Sequence, residues 1–202
     1  MVALERIRQA LTRYEPRLLG APDARQAAVA VVLRDAAAGP ELLFIERAQR
    51  AGDPWSGHMA FPGGRVERLD PNVRFAAERE TFEEVGVDLV KAEPLGRLDD
   101  REGRHAGRPA ELVISAFVYH TPAPGPIAPS PEVREALWVP VDDLLDPHRH
   151  VDYAYPPARG ARYPGIVVGD PERHVVWGLT YRFLESFFEV VGTPLPPRPW
   201  PT

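Results

Sequence analysis

The sequence of 202 residues contains no cysteine. A chain without thiols has no disulfide framework, no thiolate zinc site and no cysteine nucleophile. The sequence also lacks an apolar run long enough to cross a membrane, and its charged N-terminus has no secretory signal pattern. We therefore expect a cytoplasmic protein that does not bind membranes.

An excess of positive charge is missing too, because 24 lysines and arginines face 29 acidic residues and give a net charge of −5. Domains that bind nucleic acid usually have a basic surface, so we expect no nucleic-acid partner. The hydrophobic content of 44% is sufficient for one substantial core, and we expect a single domain over residues 1–202. This domain begins with a predicted short helix at about 3–14 and ends in a proline-rich tail at about 193–202.

Strand-like and helix-like patterns alternate along the chain. Runs of apolar or alternating residues predict strands at 27–33, 41–45, 59–61, 95–98, 111–119 and 136–139. Helical spacing predicts helices at 73–85 and 174–191, and the charged segment 99–108 is predicted to be a loop. This alternation predicts an α/β or α+β fold class with a mixed β-sheet.

The predicted helix at 73–85 has two chemically different sides. Glu80 and Glu84 lie one helical turn apart on one side, and Glu83 flanks them. The residues on the roughly opposite side are Phe75, Phe82 and Val85. We therefore expect an apolar stripe that packs on the core and a carboxylate stripe that faces away from it.

The three carboxylates of this helix are close enough to repel one another. Each such pair costs a helix roughly a few tenths of a kcal/mol, and a bound divalent cation removes that cost. Arg79 has the spacing to hold Glu83 by a charge-assisted hydrogen bond. Gly63 and Gly64 precede the helix, and their lack of side chains lets the backbone approach a metal ion or a phosphate. A glutamate-rich helical face is equally typical of a plain solvated surface.

The loop and the helix together resemble the Nudix box. That motif has a glycine, five residues, a glutamate, seven residues, and then Arg-Glu, an aliphatic residue, any residue, Glu-Glu, any residue, Gly and an aliphatic residue. This chain has Gly64, five residues, Asp70, eight residues, and then Arg79-Glu80-Thr81-Phe82-Glu83-Glu84-Val85-Gly86-Val87. The second half matches at every charged and glycine position. The first half differs, because Asp70 replaces the glutamate and the spacer is one residue longer.

The resemblance to the Nudix family implies a fold in which a mixed β-sheet is sandwiched between α-helices. It also implies a hydrolase that uses Mg²⁺ or Mn²⁺ to cleave a diphosphate bond. The metal ligands that it implies are Glu80, Glu84, Glu83 and the backbone of Gly64. The catalytic residues that it implies are Glu83, Glu84, Arg79 and Glu132. Glu132 and Glu135 follow a proline-rich loop, and either one is a candidate for the general base, with Glu132 favoured.

A second stretch resembles the coenzyme A diphosphatases of this family. Their motif is Leu-Leu-Thr-x-Arg-Ser, then an arginine, a glycine and Phe-Pro-Gly-Gly. Arg47, Gly57 and the segment 61–64 match it, whereas Asp53 stands at the place of the middle arginine, where we expect it to repel a phosphate. The substrate-binding residues that follow from this resemblance are Arg47, Gly57, Phe61, Gly63 and, from a basic cluster at 101–108, Arg104. For Phe61, a place in the core is an equally good interpretation.

The function expected from the sequence is therefore hydrolysis of a small nucleoside diphosphate compound, with coenzyme A as one candidate substrate. ADP-ribose, nucleotide sugars, dinucleoside polyphosphates and nucleoside triphosphates are alternatives, because enzymes acting on all of them share the same box. A Nudix-fold binding module without hydrolysis is a further alternative, although such a module would be expected to lose the box carboxylates. The resemblance also makes a homodimer plausible.

Overall fold

The structure is a computed structural model that describes residues 2–19, 24–53, 55–105, 108–155 and 160–201, without the side chains of residues 104, 105 and 108–111. Its α-helices are α1 (Leu4–Arg13), α2 (Val73–Val85) and α3 (Gly178–Val191). The strands in the first half of the chain are β1 (Arg25–Arg34), β2 (Glu41–Arg47), β3 (Met59–Ala60), β4 (Gly63–Arg65), β5 (Glu93–Arg97) and β6 (Arg101–His105). The later strands are β7 (Arg108–His120), β8 (Val133–Pro140), β9 (His150–Ala154), β10 (Arg162–Val167) and β11 (Val175–Trp177).

The larger β-sheet is mixed and is organised around β1. β1 pairs in parallel with β7 along its whole length, and it pairs antiparallel with β2 at its end and with β4 near its beginning. β3 and β8 extend the sheet beyond β2, while β5 and β6 pair with β7. This arrangement confirms the predicted fold class.

The alternation of side chains along β1 places helices on both faces of this sheet. Val31 and Leu33 are fully buried in one core, which α1 and α3 cover. Ala30 and Val32 are fully buried in a second core on the opposite face, which α2 covers. Each large apolar side chain buried in this way contributes roughly 1.5–3 kcal/mol. The sheet is therefore sandwiched between helices, as the family resemblance implied.

A second, three-stranded antiparallel sheet consists of β9, β10 and β11, and the sequence prediction missed it. The predicted helix at 174–191 was wrong at its start, because residues 175–177 form β11 and pair with β10. α3 begins only at Gly178, whose φ of 63° marks the change of direction. Apolar residues at the end of a strand were read as the first turn of the helix, since a short apolar run fits both periods.

One loop prediction was also wrong. The segment 101–105, predicted to be part of a charged loop, forms β6 and pairs antiparallel with β7. Its charged residues are compatible with a strand because β6 pairs with a single neighbour, and strands at such positions commonly carry charge. Gly63 and Gly64 follow the end of β3 and belong to a further short strand, β4, which was not predicted and which pairs with β1.

α2 has the predicted bounds, and both of its ends are capped. The Asn72 side chain accepts a hydrogen bond from the Phe75 amide, and Gly86 ends the helix with a φ of 73°. The predicted orientation was right for Val85, which is fully buried in the core, but wrong for Phe82 and Glu84. Phe82 is 59% exposed, whereas Glu84 is only 4% exposed. Small side chains on the inner side, such as that of Ala77, let the helix pack closely on the sheet, and this turns the carboxylate side inward.

Candidate metal centre

Two glycines make the close contact between β4 and its neighbours possible. Gly63 has a φ of 151°, and a Cβ atom there would lie 2.6 Å from the Val29 Cα atom. A Cβ atom on Gly64 would overlap the carboxylate of Glu80. A side chain at position 63 would push β4 away from β1, and one at position 64 would displace the carboxylate of Glu80. The double glycine therefore sets the distance between the backbone of β4 and the carboxylates of α2.

Glu84 lies beneath this double glycine. Its Oε2 atom accepts a hydrogen bond of 2.8 Å from the Gly63 amide. Burial raises the pKa of Glu84 to about 8, the Gly63 hydrogen bond opposes this rise, and the nearby charge of Glu80 adds to it. Within the described part of the chain, no cationic side chain is hydrogen-bonded to this carboxylate.

Glu80 lies on the same side of the helix, against the Gly64 backbone. Burial raises its pKa, and the adjacent guanidinium of Arg79, which donates a hydrogen bond of 3.1 Å to Oε1, opposes the rise. Glu83 is on the outer side, with 56% of its side chain exposed. The structure thus brings Glu80 and Glu84 together beside the glycines and leaves Glu83 at the rim.

Arg79 organises this rim. Its Nη1 atom donates a hydrogen bond of 3.0 Å to Glu83, as predicted, and its Nη2 atom donates one of 3.1 Å to the Arg65 carbonyl. The Asp70 carboxylate accepts two hydrogen bonds from Arg79, of 3.0 and 3.1 Å. These bonds lower the pKa of Asp70 despite its burial. The residue that departs from the box consensus therefore orients the arginine of the box.

The donor set around Gly64 fits a hard divalent cation. It offers carboxylate oxygens from Glu80 and Glu84 and a backbone that a side chain would otherwise block. Buried carboxylates with raised pKa values are costly to ionise, and a bound cation would remove that cost. Among the described residues this donor set consists of oxygen atoms, which favours Mg²⁺ or Mn²⁺ over zinc.

Arg47 lies close enough for its charge to oppose the raised pKa of Glu84. Its Nη2 atom donates a hydrogen bond of 2.9 Å to Asp53, and its buried Nε atom has no hydrogen-bond partner among the described residues. The sequence interpretation treated Asp53 as a repulsive charge, but the structure shows that it holds Arg47. Gly57, with a φ of 74°, closes the intervening loop by donating its amide to the Arg47 carbonyl.

One of the predicted substrate-binding residues, Phe61, lies in the core. Phe61 is 3% exposed and stacks on Phe44 at 5.0 Å between ring centroids, so it packs in the core rather than facing a ligand. The side chain of Arg104 lies outside the described residues. Its neighbour Arg101 contacts Ser186 on α3.

Glu132 is brought to the site by backbone hydrogen bonds. The Ser130 amide donates to the Glu84 carbonyl at 2.8 Å, and the Ala48 amide donates to the Glu132 carbonyl at 2.8 Å. The exposed carboxylate of Glu132 pairs with Arg50 at 3.4 Å, and its charge raises the pKa of Glu84. Glu135, the alternative base, instead pairs with Arg173 at 2.9 Å.

A second acidic cluster was not predicted. Glu46, Glu135 and His174 have potential ligand atoms within 4.8 Å of one another. The Nδ1 atom of His174 accepts a hydrogen bond from the Asp170 amide, so the proton of a neutral ring is on Nε2, which faces the two carboxylates. A protonated nitrogen cannot bind a metal ion, and Arg173 already pairs with both glutamates. We interpret this cluster as an ion-pair network.

The NUDIX domain family matches residues 24–158, which include β1, the double glycine and all of α2. This chain belongs to the Nudix family. None of its helices, as far as they are described, is long and apolar enough to cross a membrane.

An uncharacterized protein of Schizosaccharomyces pombe is 36% identical over 69% of this chain and 48% of its own length. The mitochondrial coenzyme A diphosphatase NUDT8 of Homo sapiens is 31% identical over 93% of this chain and 77% of its own length. The chain thus spans about half the length of several curated relatives that it matches. The crystal structure of a MutT/nudix family protein from Enterococcus faecalis is 18% identical, with a TM-score of 0.57 over 94% of this chain and 70% of that one, and shares the fold.

Proposed function

We propose that this Nudix protein hydrolyses the diphosphate bond of a nucleoside diphosphate-linked compound with the help of Mg²⁺ or Mn²⁺. The observation that carries the proposal is the pair of inward-facing carboxylates of Glu80 and Glu84 beside the double glycine. A buried carboxylate such as Glu84, whose pKa is raised to about 8 and which lacks a cationic hydrogen-bond partner among the described residues, is suited to bind a cation from solution.

The residues that would hold the cation are Glu80 and Glu84, together with the Gly64 carbonyl and, at the rim, Glu83. When bound, the cation neutralises charge on the phosphoryl oxygens and makes water a better nucleophile at neutral pH. Asp70 keeps Arg79 in place, and Arg79 in turn holds Glu83. Both are positioning residues in this proposal.

The remaining steps are assigned to residues at the mouth of the site. The water oxygen bonds to one phosphorus, the bridging P–O bond breaks, and two phosphate products leave. Glu132 accepts the proton of the water, because it is exposed and is tied through Ser130 to the backbone of Glu84. Arg47 donates to a substrate phosphate in exchange for, or in addition to, its bond with Asp53.

Coenzyme A or a derivative is the substrate that we propose first. Two observations support it: the likeness to the motif around Arg47, and a relative named as a coenzyme A diphosphatase. Asp53 departs from that motif, so ADP-ribose, nucleotide sugars, dinucleoside polyphosphates and nucleoside triphosphates stay alternative substrates. A single domain over residues 1–202, a homodimer and a cytoplasmic location stay predictions.

The test is a substrate panel that includes coenzyme A, ADP-ribose and nucleotide sugars, each incubated with Mg²⁺ or Mn²⁺ and with products identified by mass. We expect metal-dependent release of two phosphate-containing products from at least one compound. Glu84→Gln should remove this activity. Glu67→Gln, a change at an exposed glutamate between β4 and α2, should retain it. No turnover by the purified protein, or equal turnover by the Glu84 variant, would contradict the proposal.

A further inference from the structure

One face of the three-stranded sheet is covered with aromatic side chains. The strand register places Tyr153 opposite Tyr163, and Trp177 opposite Gly165, so all of them share one face. Ile166 and Val176, which alternate with them, are fully buried in the core on the other face. The aromatic platform, as we call this surface, consists of His58, Tyr153, Tyr155, Tyr163 and Trp177.

The platform is centred on Trp177. Tyr153 stacks on it at 4.8 Å between ring centroids, and Tyr155 lies tilted against it at 4.6 Å. Tyr163 approaches at 5.4 Å, and His58 meets it edge-on at 5.0 Å. All five side chains are half-buried, so they pack together and still present part of their ring surface to solvent.

An outward sheet face of this composition is unusual for a stabilising role alone. Antiparallel sheets with one face in the core usually carry polar residues on the other face. Tyrosine and tryptophan at solvent-accessible positions are typical of binding surfaces, because they give large rigid contact areas at little entropic cost.

The platform and the metal centre are close to each other along the chain. His58 directly precedes β3, and Gly63 follows it by five residues, a stretch that spans at most about 18 Å. The Thr180 hydroxyl donates to the Met59 carbonyl at 3.4 Å and so ties the start of α3 to β3. His58, at the edge of the platform, is therefore joined by a short segment to Gly63, whose amide donates a hydrogen bond to Glu84.

Arg47 is adjacent to the platform, because its amide donates a hydrogen bond of 3.1 Å to the His58 carbonyl. Burial lowers the pKa of His58, Asp53 opposes this, and the charge of Arg47 lowers it further. The same Arg47 charge counteracts the burial-driven rise in the pKa of Glu84. Arg47 is therefore within electrostatic reach of both the platform and the metal centre.

The platform and the metal centre differ in charge and therefore suit different parts of a substrate. His58 with a lowered pKa is neutral at pH 7, and burial raises the pKa of Tyr153, so neither side chain carries charge there. Phosphates require cations and fit Arg47 and a bound metal ion. A neutral platform of π-faces instead fits an aromatic heterocycle, and stacking of bases on aromatic side chains is strong and tolerant of base identity.

We propose that the aromatic platform binds the nucleobase of the substrate, with Arg47 holding the phosphate between the base and the metal centre. This inference rests on the proposed function. The platform would give the enzyme a contact with the base that is separate from its contacts with the phosphates.

The test is calorimetric titration with 5′-AMP and, as a ligand without a base, ribose 5-phosphate. Both are monophosphates, so binding is measured without turnover. Tyr155→Ser and Trp177→Leu should each weaken 5′-AMP about ten-fold and leave ribose 5-phosphate unchanged. Trp177→Phe should restore most of the affinity. Phe75→Ser, at a 38% exposed aromatic on α2, should change neither ligand and serves as the matched control.

The outcomes separate this proposal from the proposed function. Loss of 5′-AMP binding in the platform variants supports the base site even if no substrate is hydrolysed. Unchanged 5′-AMP binding in folded Tyr155→Ser, with activity on a diphosphate intact, overturns the base site and leaves the hydrolase standing. A dimer that dissociates on Trp177→Leu, with 5′-AMP affinity unchanged, would overturn it in favour of self-association.

Discussion

Two buried glutamates of this protein have opposite surroundings. Glu46 is 2% exposed and is paired with Arg134 at 3.1 Å and with Arg173, with His174 close by. Glu84 is 4% exposed and receives one backbone hydrogen bond from Gly63. Burial is nearly equal for the two, so the difference between them is the supply of positive charge.

This difference distinguishes a carboxylate that serves the fold from one that is available for a ligand. Glu46 forms ion pairs with arginines of the chain, whereas at Glu84 the described residues supply only the charge of Arg47, without a hydrogen bond to the carboxylate. Burial of an ionisable group is therefore a weak indicator of function until its partners are counted. The network at Glu46 has the more compact set of ligand-type atoms, yet the site at Glu84 is the better candidate for a metal ion.

The largest expected effect is on catalysis at Glu84. Glu84→Gln should reduce the metal-dependent turnover rate about 10³-fold, since several kcal/mol of charge stabilisation is lost. Steady-state kinetics on the best substrate of the panel measures it. Glu46→Gln, assayed under conditions in which it is folded, should keep most of the rate. Equal loss of activity in both variants would contradict the distinction between Glu46, which serves the fold, and Glu84, which is available for a ligand.

The next effect is a dependence of stability on pH in the metal-free protein. A folded-state pKa of about 8 means that native Glu84 holds its proton more tightly than the unfolded chain does. Stability is then lost as the pH rises from about 4.5 to 8, by up to about 1.4 kcal/mol per pH unit. Glu84→Gln cannot ionise and should therefore be the more stable protein at pH 8, by on the order of 4 kcal/mol.

Urea unfolding at pH 4.5 and at pH 8 measures this difference. The two proteins should be nearly equal at the lower pH, and Mg²⁺ should stabilise the wild type but not the variant at the higher one. A Glu84 variant that is less stable than the wild type at pH 8 without metal would show that its carboxylate is already satisfied by the protein.

A smaller effect is expected on stability at Glu46. Glu46→Gln should lower the free energy of unfolding by about 2 kcal/mol, because it leaves Arg173 and Arg134 without their buried partner. Glu135→Gln is the matched control, since its side chain is 40% exposed and should cost less. Thermal unfolding at neutral pH distinguishes them, and an unchanged melting temperature for the Glu46 variant would refute a structural role.

The smallest effect is predicted for Glu83, which is at the rim rather than buried. Glu83→Gln should weaken Mg²⁺ affinity about ten-fold and change the free energy of unfolding by less than about 0.5 kcal/mol. Titration calorimetry with Mg²⁺ measures the first quantity and urea unfolding the second. A loss of metal binding as complete as that of Glu84→Gln would place Glu83 among the central ligands instead.

Local pattern was sufficient for the elements that build the site. The bounds of α2 and the glycine at its end follow from short-range signals, namely helical spacing and a left-handed cap. The direction in which α2 faces did not follow, because periodicity gives the two sides of a helix but not which one meets the sheet. Ala76 and Ala77 were the available signal, since small side chains indicate close packing.

Contacts that depend on the three-dimensional path of the chain could not be predicted from the sequence. The bond between Arg47 and Asp53 and the network around Glu46 join residues whose meeting depends on strand pairing and loop path. The aromatic platform had a partial signal in the alternation of Tyr153 and Tyr155, which has the period of a strand. Its assembly around Trp177 requires the register of three strands, which no local pattern determines.

The hydrogen bonds from Ala128 and Ser130 to the last carbonyls of α2 have a mechanical consequence. They fix the proline-rich segment to the end of the helix, so Glu132, the proposed proton acceptor, is held at a constant distance from Glu84, the proposed ligand. Inserting a single residue after Ser130 would move Glu132 and leave Glu80 and Glu84 in place. Such an insertion should lower the turnover rate and leave the affinity for the cation unchanged, whereas substitutions of the glutamates in α2 should change both.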